Sequence, residues 1–150
     1  VGAFAEGSNF LDQHDLKTVI KCHFEQDKPL LAICLGMQLL CEESEESPGY
    51  IGLGIIPKKI KKFSNNLKVP QLGWNTVVPQ QENSIFHKQY AYFANSYYLD
   101  SVPDGWDNCQ TTYGISFVSA CARGNLLACQ FHPELSGKDG ISLLQRWINK

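Results

Sequence analysis

Two short stretches of the sequence contain residues that could act together as a nucleophile and its base. Cys34 lies in AICLGMQ, where an apolar run typical of a buried strand gives way to residues that favour a helix. His132 lies in QFHPE, directly after an apolar stretch, and Glu134 follows it by two positions. A thiolate that attacks a carbonyl needs a base, and a carboxylate can orient that base, so the three residues together favour nucleophilic catalysis.

Each stretch alone also has a purely structural interpretation. Cys34 could be packing, because free cysteines are among the most buried residues. His132 could simply end its strand with ordinary hydrogen bonds, while Glu134 begins the last helix. A sharp turn from strand to helix would instead raise the thiol above the sheet and favour the thiolate. The N–H of Leu35 would then be an oxyanion donor, and Gly36 would keep the turn uncrowded.

The elements that must position these residues follow from the periodicity of the chain. The sequence predicts an amphipathic helix over about 12–25, then a buried strand over LLAIC and a helix over LGMQLLCEESEE at 35–46. Short strands separated by turn residues follow from about 50 to 131. A last helix is predicted over about 139–149, with Ser136 as its cap. This succession predicts an α/β protein with a mixed sheet flanked by helices.

Composition and charge argue against several other classes of protein. The length of 150 residues fits one domain, and a net charge of −2 gives no electrostatic footprint for nucleic acid. The acidic run EESEE at 42–46 and the basic run KKIKK at 58–62 are interpreted as solvated faces. No stretch is long enough for a membrane helix, and there is no secretory signal, so we expect a cytoplasmic protein. The six cysteines include no C-x-x-C pair, so neither a metal nor another cofactor is expected.

Longer stretches of the sequence resemble a known family. AICLGMQ at 32–38 together with QFHPE at 130–134 resembles the class I glutamine amidotransferases. VPQLGWNTV at 69–77, YFANSYY at 92–98 and the opening VGAF are similar to the glutaminase unit of imidazole glycerol phosphate synthase. The likeness covers essentially the whole chain. It implies a flavodoxin-like fold and a single amidotransferase domain that is truncated at its N-terminus, with the first strands missing.

The resemblance also implies a role for each matching residue. Cys34 would attack the side-chain amide of glutamine, His132 would transfer the proton that releases ammonia, and Glu134 would orient His132. The remaining implied residues are the oxyanion-hole groups Leu35, Val1 and Gly2, the glutamine-binding residues Gly36, Gln38, Asn95, Ser96 and Tyr97, and Trp74 at the interface with a partner.

The implied partner is a (β/α)8 cyclase, either a separate subunit or a fused domain. Ammonia would pass to it and cyclise a ribulosyl nucleotide into imidazole glycerol phosphate and an aminoimidazole carboxamide ribotide, in histidine biosynthesis. A plastid location is implied if the chain comes from a plant.

Three positions depart from the family pattern, and two other functions stay open. Ala32 stands where the family has glycine, Asn95 where it has histidine, and Leu135 where it has lysine. One alternative is a catalytically silent scaffold that only docks on a synthase. The other is a class I glutaminase that serves another synthase, such as one for GMP, anthranilate or pyridoxal phosphate.

Overall fold

The computed structural model describes residues 2–150, which form helices on both sides of a mixed sheet. The helices are α1 Phe4–Gln13, α2 Leu16–Glu25, α3 Leu35–Leu39 and α4 Gly137–Ile148, with a short 3₁₀ helix at Pro133–Leu135. The strands are β1 Leu30–Ile33, β2 Cys41–Ser44, β3 Ile56–Lys62, β4 Gln71–Pro79, β5 Gln89–Asn95, β6 Tyr97–Tyr98, β7 Asp107–Tyr113, β8 Ile115–Arg123 and β9 Leu126–Cys129.

The main sheet has six strands in the order β1-β9-β8-β7-β4-β5, and β2, β3 and β6 form a smaller sheet. In the main sheet β1 and β9 run parallel, with Ile33 in register with Cys129, whereas its other pairs are antiparallel. Parallel strands in register end at the same edge of a sheet. The residues that follow Ile33 and Cys129 therefore leave the sheet side by side. The predicted α/β class with a mixed sheet is confirmed.

Two buried clusters hold helices on the two faces of the main sheet. On one face, Met37 and Leu40 of the α3 region pack with Ile56 and Ile60 of β3, and residues of α1 and α2 pack against the same cluster. On the other face, Leu143 of α4 is fully buried among phenylalanine side chains. Burial of this kind contributes roughly 25 cal/mol per Å² of apolar surface, so both layers are anchored to the sheet.

The predicted helix over 35–46 is wrong beyond Leu39. The chain forms β2 instead, which pairs in parallel with β3 and is extended by further backbone hydrogen bonds, such as Ile56 N–H to the carbonyl of Leu40. Glutamate-rich stretches favour helix only weakly, and tertiary pairing overrides that preference here.

The N-terminal part contains two helices where the sequence predicts one. The predicted helix over 12–25 corresponds to α2, while α1 precedes it and was not predicted. The two are separated at Asp15, which has a positive φ of 54°. α1 depends on long-range contacts, because Phe4 N–H donates to the Glu46 carboxylate and Ala5 N–H to the Ser47 hydroxyl.

The strand-rich half is confirmed, and β7 is an addition to it. The sequence DNCQTTY of β7 lacks a regular apolar alternation, so its pattern did not identify it. KKIKK lies within β3, with Ile60 buried and its lysines largely exposed. None of the helices in residues 2–150 is both long and apolar enough to span a bilayer.

Candidate active site

Cys34 occupies a strained turn between β1 and α3. Its backbone has φ 51° and ψ −109°, a conformation that residues with a side chain rarely adopt. Two hydrogen bonds hold the turn: Cys34 N–H donates to the carbonyl of Cys129 at 2.7 Å, and Gln38 N–H donates to the carbonyl of Cys34 at 3.2 Å. A strained strand-to-helix turn is the geometry that displays a nucleophile at the start of a helix.

His132 follows the neighbouring strand, three residues after β9 ends. Its backbone N–H donates to the carbonyl of Tyr92 at 2.9 Å, and its ring Nδ1 lies 2.7 Å from Oε1 of Glu134. A carboxylate accepts, so Nδ1 carries the proton and Nε2 keeps its lone pair. Nε2 is buried and has no hydrogen-bond partner within residues 2–150. The imidazole is therefore oriented by one nitrogen and free to take a proton at the other.

A cavity of about 430 Å³ opens at Cys34. It is bounded by the start of α3, by the segment that joins β5 to β6, and by the beginning of β4. The lining includes seven residues that the sequence analysis assigned to the site, namely Gly2, Cys34, Leu35, Gln38, Asn95, Ser96 and Tyr97. Residues from three distant parts of the chain thus converge on one thiol.

Other predicted residues do not line the cavity, among them His132 and Glu134, or lie outside the described chain. Gly36 does not line the cavity, and a Cβ built there would meet the Cβ of Ala32 at 3.7 Å, an ordinary contact. Trp74 is 58% exposed on β4, and it too is absent from the lining. Val1, predicted for the oxyanion hole, lies outside the described residues.

Glu46 is a cavity residue that the sequence analysis missed. The interpretation of EESEE as a solvated face fits the exposed Glu42, Glu43 and Glu45, but it is wrong for Glu46, which is half-buried and lines the cavity. Its position depends on the unexpected strand β2, so no local pattern could have identified it.

Gln130 is a second residue that was missed, although it lies within the quoted motif QFHPE. Its side chain is 1% exposed, and it contacts both Cys34 and Gln38. Its place directly after β9, in register with the turn at Cys34, is the signal that could have identified it.

Burial raises the pKa of the Cys34 thiol above its ordinary value. The backbone N–H of Leu35 opposes this effect, and the negative charge of Glu134 adds to it. We expected the helix start to favour the thiolate, but desolvation outweighs it. The resting thiol is therefore protonated at neutral pH, and it needs a base such as Nε2 of His132 to react.

The three departures from the family pattern have distinct surroundings. Ala32 is buried in β1 beneath the turn. Asn95 donates through Nδ2 to the carbonyl of Tyr97 at 3.0 Å, which stabilises the turn between β5 and β6 at the cavity. Leu135 is 54% exposed.

Comparisons with known sequences identify similar proteins. The family model for glutamine amidotransferase class-I matches residues 8–149. The chain is 40% identical to the imidazole glycerol phosphate synthase subunit HisH of Bacillus cereus (strain G9842), over 98% of this chain and 72% of that protein. It is 37% identical to the chloroplastic imidazole glycerol phosphate synthase hisHF of Arabidopsis thaliana, over 99% of this chain and 26% of that protein.

Solved structures share the fold at low sequence identity. A crystal structure described as a glutamine amidotransferase superimposes with a TM-score of 0.73 at 15% identity, over 97% of this chain and 75% of that one. The structure of PurLQS from Thermotoga maritima gives a TM-score of 0.66 at 16% identity, over 89% of this chain and 67% of that one. Both likenesses concern the fold alone.

Proposed function

Because the chain belongs to the class-I glutamine amidotransferase family, among relatives named as HisH subunits of imidazole glycerol phosphate synthase, we propose that it hydrolyses glutamine and supplies the ammonia to a cyclase. The observation that carries this proposal is the buried Nε2 of His132, which has no hydrogen-bond partner among residues 2–150 and is held through Glu134 at the same sheet edge as the strained turn of Cys34.

In the proposed reaction, Cys34 loses its proton to Nε2 of His132 as its sulfur attacks the carboxamide carbon of glutamine. The N–H of Leu35, with the backbone at Gly2, stabilises the resulting oxyanion. The imidazolium then returns the proton to the departing nitrogen, which leaves as ammonia, and a thioester remains. Water, activated by the same imidazole, hydrolyses the thioester to glutamate and frees the thiol.

The cavity has polar groups suited to the amino-acid end of glutamine. Glu46 brings a carboxylate to the lining, which would pair with the substrate's α-ammonium group. Gln38 and the segment Asn95–Tyr97 supply amide, hydroxyl and backbone groups nearby. We assign substrate recognition to these residues.

The cyclase would dock on the exposed side of β4 and β5, which we call the outer face. Leu72 and Trp74 of β4 and Tyr90 of β5 are 68%, 58% and 63% exposed. Trp74 packs edge-on against Tyr92, with ring centroids 6.1 Å apart, so the indole is already held for contact. Aromatic side chains on an apolar patch are typical anchors of protein interfaces. The Arabidopsis relative, named imidazole glycerol phosphate synthase hisHF and matched over 26% of its length, supports a cyclase as the occupant.

The alternatives have less support. A silent scaffold would have no need for an oriented imidazole or for a strained cysteine turn, and strain of this kind is maintained mainly at functional sites. A glutaminase for another synthase would share the triad, but the relatives that cover nearly the whole chain at about 40% identity are HisH subunits. A cytoplasmic location, or a plastid one in a plant, is part of the proposal.

A glutamine-mimicking electrophile tests the proposal. We expect diazo-oxo-norleucine, added to the chain together with its cyclase, to form one adduct at Cys34 that peptide mass spectrometry locates. Cys22 provides the matched control, because it is an exposed thiol outside the cavity and should not react specifically. An unmodified Cys34 combined with normal docking to the cyclase would favour the scaffold.

A further inference from the structure

Gln130 is a buried amide that contacts two residues of the cavity lining, Cys34 and Gln38. Its Nε2 lies 3.8 Å from Sγ of Cys34, within the range for a hydrogen bond to sulfur. Its Oε1 accepts a hydrogen bond from Nε2 of Gln38 at 2.9 Å. One side chain therefore contacts the proposed nucleophile and a proposed substrate-binding residue at the same time.

The backbone around Gln130 is fixed on both sides. Its N–H donates to the carbonyl of Ser119 in β8 at 2.9 Å, and the preceding residue, Cys129, accepts the hydrogen bond that holds the Cys34 turn. The amide of Gln130 thus extends from a rigid sheet rather than from a mobile loop. A side chain with this support can hold its neighbours in place.

The two contacts of Gln130 have different chemical consequences. The N–H that faces Sγ favours the thiolate, since it donates to the charged form of the sulfur. The oxygen of Gln130 accepts from one of the two N–H groups of Gln38, so the Gln38 amide, which belongs to the cavity lining, is held with Nε2 toward Gln130 and Oε1 turned away from it. An oxygen in that position accepts from a substrate ammonium group, whereas an NH₂ group would repel it.

We propose that Gln130 is a positioning residue that orients the Cys34 thiol for attack and the Gln38 amide for substrate recognition through a single side chain. This inference rests on the proposed glutaminase function of the site. It adds to the triad a fourth residue, which acts through Cys34 and Gln38 and does not itself touch the reacting carbon.

Two substitutions separate the two contacts. Gln130→Met keeps the volume and removes both, whereas Gln130→Glu keeps an oxygen for Gln38 and replaces the N–H donor with a carboxyl group. The first readout is the pH midpoint of Cys34 alkylation by iodoacetamide, followed peptide by peptide so that exposed Cys22 does not interfere. The second readout is the separate measurement of kcat and KM for glutamine with the cyclase present.

For Gln130→Met we expect the alkylation midpoint to rise by about one pH unit and KM to rise roughly tenfold. Each change corresponds to the loss of one hydrogen bond, because a hydrogen bond contributes on the order of one pKa unit, which is a factor of about ten in an equilibrium constant. For Gln130→Glu we expect a larger rise of the midpoint, because the introduced carboxylate opposes the thiolate, with KM within about threefold of the starting value. If Gln130→Met does not fold, Gln130→Leu, which also lacks the amide, is measured in its place with the same expected midpoint.

Gln89→Met is the matched control. Gln89 is also a buried glutamine, but it lies at the far end of β5 from the cavity, roughly 20 Å along the strand from Asn95. It should lower stability without moving the Cys34 midpoint. Equal midpoints in the starting protein and both Gln130 variants would overturn the inference. The midpoint needs no turnover, so a starting protein that fails to hydrolyse glutamine would instead count against the proposed function.

Discussion

The catalytic edge of this molecule is buried, whereas its outer face is exposed. The catalytic edge consists of the turns that follow β1 and β9. Cys34 and His132 in these turns are buried, and their backbones are hydrogen-bonded to neighbouring strands. On the outer face, Leu72, Trp74 and Tyr90 expose most of their apolar surface. In the proposed function, the groups that do the chemistry are thus held in place by the chain itself, whereas the outer face is left for the cyclase to cover. Substitutions at the edge should change turnover, and substitutions on the face should change affinity for the partner.

The largest effect is expected from Cys34→Ala, compared with Cys129→Ala one strand away. Removal of the nucleophile should lower glutamine-dependent synthesis by roughly 10⁴-fold, while synthesis from added ammonia continues at the cyclase. Both rates are measured with the assembled enzyme. Equal loss of both activities would contradict the division of labour proposed here.

Cys129→Ala is the control for that experiment. The Cys129 thiol is fully buried, and burial holds its pKa well above the ordinary value, so it packs in the core and is not expected to ionise. We expect a loss of about 1–2 kcal/mol in the free energy of unfolding and activity within a fewfold of normal at temperatures where the protein is folded.

A smaller loss of turnover is expected from Glu134→Gln. The carboxylate sets which nitrogen of His132 carries the proton, and an amide in its place can favour the wrong tautomer. We expect kcat to fall by on the order of 10²-fold, with KM and cyclase affinity little changed. Because the side chain of Glu134 is 49% exposed, stability should be nearly unaffected. An unchanged kcat would show that the contact between His132 and Glu134 does not orient a catalytic base.

Local patterns predicted the catalytic edge much better than its surroundings. The nucleophile turn and HPE are each encoded within a few residues, and the parallel register of β1 and β9 places them at the same edge of the sheet. Glu46 was missed because it depends on β2, which forms only by pairing with β3. β7 was missed for a similar reason: its polar sequence becomes a strand through neighbours on both sides.

Trp74→Ala tests the outer face. Removal of a half-exposed aromatic side chain that anchors an interface should weaken the affinity for the cyclase by roughly tenfold or more. It should leave the melting temperature nearly unchanged. Titration calorimetry with the cyclase gives the affinity directly.

Val19→Ala is the control for Trp74, because Val19 is equally exposed but lies on α2. It should change neither the cyclase affinity nor the melting temperature appreciably. If Val19→Ala weakens the complex as much as Trp74→Ala does, the docking surface has been assigned to the wrong side of the molecule.

Ser136 tests whether the two regions are independent, because it joins them. We predicted it as the cap of the last helix, but its hydroxyl makes no capping bond. It donates to the carbonyl of His132 at 2.6 Å and accepts from Tyr92 N–H at 3.0 Å. Ser136→Ala removes the partner of Tyr92 N–H and leaves the His132 carbonyl with the bond from Leu135 N–H alone, so the free energy of unfolding should fall by about 1–2 kcal/mol and kcat by a fewfold. Affinity for the cyclase should stay within twofold, because Tyr92 is still held by its pairing with Trp74.

Ser116→Ala is the control for Ser136→Ala, because Ser116 is exposed and the change also removes a hydroxyl group. A loss of affinity in Ser136→Ala as large as that of Trp74→Ala would mean that the outer face and the catalytic histidine move together.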